Sequence, residues 1–287
     1  MKNIKILYCL LLLFSFTPLF AQDDLLNELN DNKNSKKEVA DAAFKGLQIT
    51  TMQSTKLAAK GEWYFLVSHR FGDLTNGLDN FFGLDNALTK IGGLYGVRNW
   101  LTVGFSRHTY NKTYELSGKI RFLQQEVDGF PVTIVGYTTM DINTKLKTDV
   151  YPDLKGSDRL AYSFQLPISR KFSKSFSLEV NPIYIHKNLI DPNFEKENQF
   201  LVAGGGRYKL SKRLSLNLEY AGRINEVEHD YYHNPLTVGL DIETGGHVFQ
   251  LVFSNSQALN DVSYFTNALG KWDDKGIFFG FNIYRVF

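Results

Sequence analysis

The first cluster with chemical potential is HDYYH, His229 to His233, flanked by Glu226, Glu228 and Asp230. Two histidines four apart share one face of a helix, where with a carboxylate they could hold Zn2+ or Cu2+. Nothing around them demands a helix, so a solvated acidic loop is favoured and His229 and His233 are weak metal candidates only. Ser106 and His108, in GFSRHTY, form a second pair. A serine nucleophile needs a histidine and an orienting polar group within hydrogen-bond reach. In an extended chain, same-face residues two apart lie ~7 Å from each other. No G-x-S-x-G elbow supports the pair. The expectation is a non-enzyme with no catalytic residue and no cofactor, a hydrolase built on this pair being the exception.

His69 and His247 sit beside aromatics near predicted strand ends. An interfacial aromatic belt accounts for them; the alternative is a small-molecule site that also uses Asp73 and Glu243. Gly204, Gly205 and Gly206 lack the following Lys-Ser/Thr and helix of a phosphate loop. Inside a strand they permit curvature or the close approach of another segment.

A larger set of charges recurs at every second position of extended stretches. The cations are Lys90, Lys119, Arg121, Arg207, Lys209 and Arg223. The anions are Glu115, Glu179, Glu219, Asp241 and Glu243. Thr113–Gln125 shows the pattern: Tyr114, Leu116, Gly118, Ile120 and Phe122 fall on one face, Glu115, Ser117, Lys119 and Arg121 on the other. Arg159–Ser169 and Arg213–Arg223 repeat it. Charge on one face and an apolar band on the other describe a strand between lipid and a polar lumen. A soluble sandwich also alternates, but runs of ~9–11 residues with long aromatic outer faces favour the membrane. Pores selective for ions tend to carry rings of one sign. This mixed set is expected to form internal salt bridges in a narrow lumen.

The two ends of the chain agree with this. Residues Met1–Ala21 carry Lys2 and Lys5, an apolar run from Ile6 to Phe16 and a small residue at Ala21, the parts of a secretory signal. Cys9 lies within it, so the chain from Gln22 onward has no disulfide or thiol chemistry. Gln22–Asp41 is polar and unpatterned, a solvated lead-in. Gly276–Phe287 reads as a last strand whose Phe279, Phe281, Ile283 and Phe287 form an outward insertion signal for the barrel-assembly machinery. Arg285 shares that face, where it can snorkel to the headgroups.

A net charge of +2 argues against nucleic acid as a partner. Mean hydropathy of −0.23 with no second long apolar run excludes a helical membrane protein. Abundant Phe and Tyr (23 and 15) with only 7 Pro suit a barrel.

Loop lengths then give number and orientation. Thr244–Gly246, Ser211–Lys212, Ser173–Ser175, Glu126–Phe130 and Arg98–Asn99 are short connections. They alternate with mostly longer ones, such as Ser254–Lys275, Ile142–Asp158 and Gly72–Asn86. Short turns belong to the periplasmic side. The predicted fold is all-β: a transmembrane antiparallel up-and-down β-barrel of about 12 strands, spanning 62–287, with the C terminus in the periplasm of a bacterial outer membrane. The preceding regions are a signal peptide, 1–21, and a periplasmic or lumen-plugging segment, 22–61. Lys45–Ser54 is itself strand-like, yet it would make the count odd, and single-chain bacterial barrels are even. It is placed outside the wall, on the rim or in the lumen, with a displaced edge strand as the alternative.

Several runs resemble a known family: SHRFGD (Ser68–Asp73), FFGLDNA (Phe81–Ala87), GGRYKLSKRLSLNLEY (Gly205–Tyr220) and NPLTVGLDIETGGHVFQL (Asn234–Leu251). AFKGLQI (Ala43–Ile49) and GFNIYRVF (Gly280–Phe287) fit it as well. It is a Bacteroidota family of outer-membrane β-barrels catalogued only as a domain of unknown function. The resemblance implies the fold and the membrane and carries over no site residue. The expected partners are outer-membrane lipid and, during insertion, the assembly machinery. Two functions stay open. One is a narrow channel or transporter for a small solute or hydrophobic molecule. The other is a non-transporting anchor that presents its periplasmic segment, or the loop bearing Tyr264, Phe265 and Trp272, to a protein partner that the sequence does not identify.

Overall fold

A computed structural model describes residues 38–225, 231–244, 247–274 and 276–287. Twelve antiparallel strands follow one another around a closed wall. They are β1 (Trp63–Asp73), β2 (Leu88–Arg98), β3 (Leu101–His108), β4 (Thr113–Leu123), β5 (Thr133–Asn143), and β6, in two halves, Leu160–Gln165 and Ile168–Lys171. Next come β7 (Phe176–Lys187), β8 (Asn198–Lys209), β9 (Leu214–Arg223), β10 (Leu236–Thr244), β11 (His247–Ser254) and β12 (Phe278–Val286). Each strand pairs with its sequence neighbours, and β12 closes the ring on β1, from Tyr64 opposite Val286 to Arg70 opposite Gly280. Closure leaves no open edge, as a bilayer requires.

The break in β6 has a covalent cause. Pro167 has no N–H to give to the ladder. It sits at a register irregularity where its carbonyl accepts from Val135 N–H at 3.0 Å. Across the other seam Leu166 N–H donates to Pro182 O at 3.0 Å. Both halves still pair with β5 and β7, so the strand is one member of the wall.

Burial runs inside out relative to a soluble protein. In β4, Tyr114, Leu116, Ile120 and Phe122 are exposed while Glu115 and Lys119 are buried. In β9, Leu216, Leu218 and Tyr220 are exposed while Ser215, Asn217 and Glu219 are buried. A sandwich buries the opposite face. Apolar outside and polar inside mean that lipid is the outer solvent.

The lumen is filled from both ends. From the mouth bearing the short turns, the stretch before β1 enters and doubles back. Gln48 bridges Gln53, Ile49 N–H donates to Met52 O at 2.9 Å, and Ser54 N–H to Leu47 O at 3.1 Å. Lys45–Ser54 is thus a tight hairpin inside the lumen, not a strand of the wall. From Ala43 to Ala58 every residue except Lys45 and Lys56 is buried. From the other mouth the segment 255–272 folds inward and carries α1 (Asp261–Thr266), whose six residues are all buried.

Candidate functional site: the plugged lumen

Alternation along the wall strands aims Lys119 (β4), Glu179 (β7), Glu219 (β9) and Asp241 (β10) at the hairpin. Lys119 Nζ donates to the carbonyls of Leu47 at 2.8 Å and Ser54 at 2.9 Å, closing both arms of the hairpin. Glu219 Oε1 accepts from the N–H groups of Thr50, Thr51 and Met52 at 2.5, 3.0 and 3.1 Å. Three successive N–H groups around one carboxylate form an anion nest at the hairpin tip. Glu219 Oε2 accepts from the Tyr264 hydroxyl at 3.2 Å, so this carboxylate touches both insertions. Glu179 accepts from Thr55 N–H at 3.2 Å. Asp241 takes the amides of Asn217 (2.6 Å) and Gln250 (2.7 Å), and Gln250 also donates to Ile49 O at 2.7 Å.

The expected web of ion pairs between wall charges is therefore largely absent from the middle of the lumen. Lys90–Glu115 at 3.0 Å and Arg207–Glu243 at 2.6 Å are direct pairs. Lys119, Glu179 and Glu219 instead spend their charge on hairpin backbone. Alternation assigns a face to a residue; it does not assign a partner. Arg121 and Arg223 are half-buried and lie away from the hairpin, Arg121 donating to Gln124 Oε1 at 3.0 Å and Arg223 to Asn234 Oδ1 at 3.3 Å. Lys209 is half-buried at the end of β8.

Arg70 and Asn282 belong to the same site and were not singled out from the sequence. Arg70 donates to Thr51 Oγ1 at 3.1 Å and to Asn282 Oδ1 at 3.0 Å, and Asn282 Nδ2 donates to Thr50 O at 2.8 Å. Their period-two register with Ser68 and Gly280 carried the signal. The seat also needs missing side chains. A Cβ on Gly205 would stand 2.4 Å from Ile49 Cδ1, and one on Gly239 would stand 2.5 Å from Thr50 Oγ1.

Ser106 and His108 do touch, with 2.9 Å between Oγ and Nε2, closer than their spacing along the strand suggested. The imidazole bridges the gap because both side chains lean together on one buried face. Glu115 Oε1 accepts from Ser106 at 3.1 Å, and its Oε2 lies 3.4 Å from the same ring nitrogen. Nδ1, where an orienting carboxylate would have to sit, has no partner among the described residues. The adjoining cavity is about 20 Å3, room for one water. Lys90, Ser106, His108 and Glu115 make a buried polar knot in the lumen lining.

His69 is held by Thr89 Oγ1 at 2.8 Å and stacks on Phe281 with ring centroids 5.4 Å apart, in an aromatic belt that includes Phe71. His229 lies outside the described residues, and His233 forms a β-bridge with Ala268. Among the described residues no group of three His, Cys, Asp or Glu side chains could hold a metal. On β12, Phe279, Phe281 and Ile283 alternate with buried Gly280, Asn282 and Tyr284, and Phe287 is exposed. Tyr264 and Phe265 are buried among Met52, Ile185 and Leu201 rather than displayed on a loop. Trp272 is half-buried and donates to Leu236 O at 2.9 Å.

Residues 44–287 match the family described as a membrane bound beta barrel domain, DUF5777. The chain belongs to this family. The match takes in the whole wall and the hairpin, and it agrees with the runs that resemble such a family in the sequence. No curated protein matches the chain. Among solved structures, the NanC porin is 9% identical, with 78% of this chain and 98% of the porin covered at a TM-score of 0.48. The KdgM porin is 8% identical, covering 79% and 99%, at 0.46. The outer membrane protein Omp33 of Acinetobacter baumannii is 10% identical, covering 80% and 100%, at 0.41. Likeness at this level carries no information about a solute.

Proposed function

We propose that this DUF5777 protein is a bacterial outer-membrane conduit for a small polar solute, shut by its own N-terminal hairpin. One observation carries the reading: Lys119, Glu179 and Glu219 are buried, yet they are paired with hairpin backbone and not with one another. Removing one partner of a buried charge costs about 3–5 kcal/mol. If the hairpin withdraws, water must therefore enter to solvate these groups. The vacated lumen would be a wetted passage lined by both signs, with Arg70 and Lys119 facing Glu179, Glu219 and Asp241. Mixed charge suits a polar solute better than selection of ions of one sign.

In this reading residues 1–21 direct export, and the mouth with the short turns, the hairpin's entry and the C terminus faces the periplasm. The exposed aromatic and aliphatic band meets outer-membrane lipid, with the assembly machinery as partner during insertion. The inward packing of Tyr264 and Phe265 takes these two residues away from a display surface. Single-channel recording in planar bilayers tests the proposal. The barrel without residues 39–61 should conduct steadily while the full chain stays mostly closed; silence in both forms would refute it.

A further inference from the structure

At the mouth where the hairpin enters, a cavity of about 400 Å3 lies between hairpin and wall. Lys45 and Lys56 reach it from the hairpin, and Lys212 and Arg213 from the connection between β8 and β9. Two carboxylates share the space, and both are engaged. Glu243 takes Arg207 at 2.6 Å and Lys45 at 3.3 Å, and Glu62 accepts from Ala59 N–H at 2.9 Å. Among the described residues, Lys56, Lys212 and Arg213 form no ion pair. The Lys56 ammonium donates to the Lys45 carbonyl at 2.7 Å. Its pKa is held below the ordinary lysine value, first by burial and then by the Lys45 charge. The seam is short of negative charge.

We infer that this seam binds a phosphate group, which bridges Lys45 and Lys56 of the hairpin to Lys212 and Arg213 of the wall and holds the hairpin seated. A phosphate, dianionic when free and monoanionic in a phospholipid headgroup, suits a cavity lined by four cationic residues through charge-assisted hydrogen bonds. The four cations come from two bodies, so full contact requires the hairpin in place. A ligand that binds one state alone stabilises it by RT ln(1 + [L]/Kd). Binding follows from the cavity itself, whereas the clamping role rests on the reading of the hairpin as a gate. The phosphate could be free in the periplasm or belong to a phospholipid headgroup at the rim.

The test uses the chain from Gln22 onward, which contains no cysteine, carrying Thr50→Cys at the hairpin tip. Modification of this thiol by a small water-soluble reagent reports withdrawal, and calorimetry reports binding. Inorganic phosphate at about four times its Kd should slow modification about fivefold relative to chloride of equal ionic strength. Lys212→Gln/Arg213→Gln should abolish both the heat and the slowing. A headgroup source would instead slow modification in phosphatidylglycerol nanodiscs, against phosphatidylcholine, with no phosphate added. No binding and no slowing in any arm overturns the site, as does an equal effect in the double variant. Binding that leaves the modification rate unchanged overturns the clamp. Conduction by the barrel lacking 39–61 is a separate readout, so failure of the gate and failure of the site are distinguishable.

Discussion

Two segments fill the lumen of this barrel, and they are held there by different forces. The hairpin makes hydrogen bonds with charged and amide side chains along its whole length: Glu219 and Asn282 at the tip, Gln250 at Ile49, and Lys119 and Glu179 on its arms. The opposite insertion is anchored by apolar burial. Val262, Tyr264 and Phe265 of α1 pack with Ile183, Ile185, Leu201, Ala203 and Ala221 of the wall, and Met52 is the hairpin's only member of this cluster. Water can replace a hydrogen bond at a net cost of about 0.5–1.5 kcal/mol. It offers no substitute for buried apolar contact, since burying one large side chain is worth about 1.5–3 kcal/mol. The hairpin has apolar burial too, but Phe44 and Ile49 cluster with Ala43 of the same segment, and Leu47 and Ala58 pack with Tyr64 and Leu94 of the wall. Under the proposed gate, more of its hold than of the outer segment's lies in bonds that water can replace. The two segments meet at Glu219, where one oxygen serves the hairpin nest and the other accepts from both Thr51 N–H and the Tyr264 hydroxyl.

The comparison breaks if the two segments respond alike to substitution. Phe265→Ala should have the largest effect, about 3–5 kcal/mol off the unfolding free energy through the cavity it leaves. Urea unfolding of the reconstituted barrel measures this. Glu219→Gln comes next. It keeps the shape and loses the charge, so hairpin bonds worth about 1.5–3 kcal/mol each fall to neutral strength. A thiol at Thr50→Cys should become at least about tenfold more reactive, the factor corresponding to 1.4 kcal/mol, while the unfolding midpoint moves little. If Phe265→Ala exposed the thiol and Glu219→Gln did not, the assignment of gate and anchor would be reversed.

The smallest effect concerns Asp261 of α1. Its carboxyl is held by the amides of Gln165 at 2.6 Å and Gln53 at 3.4 Å, and no cation forms an ion pair with it among the described residues. Burial first, and then the Glu115 charge, push its pKa up to about 6. An unfolded aspartate titrates near ~3.9. The folded state thus holds this proton more tightly, and the stability it confers is present at acid pH and lost as pH rises through about 6. Thermal midpoints should fall between about pH 4 and pH 6 for this reason, and Asp261→Asn should flatten that part of the curve.

The wall was legible because lipid and lumen impose a period of two, which survives in every long strand. The break in β6 was passed over although Pro167 marks it, because Arg159–Ser169 alternates straight through the proline. Parity excluded Lys45–Ser54 from the wall, and Gly205 hinted at what it approaches. The partners of Lys119 and Glu219 could not be read, because alternation says which way a side chain points and nothing about the backbone that meets it. Arg70 and Asn282 were overlooked for a related reason: their aromatic neighbours on the lipid face dominate the local pattern. The inward turn of 255–272 was missed because Tyr264 and Phe265 in a long connection suit display as well as burial.

The hairpin's role as the gate is tested most directly by locking it. A Cβ on Gly239 would stand 3.3 Å from Thr50 Cβ, a few tenths of an ångström short of the usual disulfide span. Thr50→Cys/Gly239→Cys can therefore tie the tip to β10 with little movement, and Thr50 Oγ1 has no hydrogen-bond partner to lose among the described residues. In the Glu219→Gln background, single-channel recording should find the oxidised barrel silent and the same barrel conducting once the disulfide is reduced. Equal currents before and after reduction, whether both open or both closed, would contradict a gate formed by this hairpin.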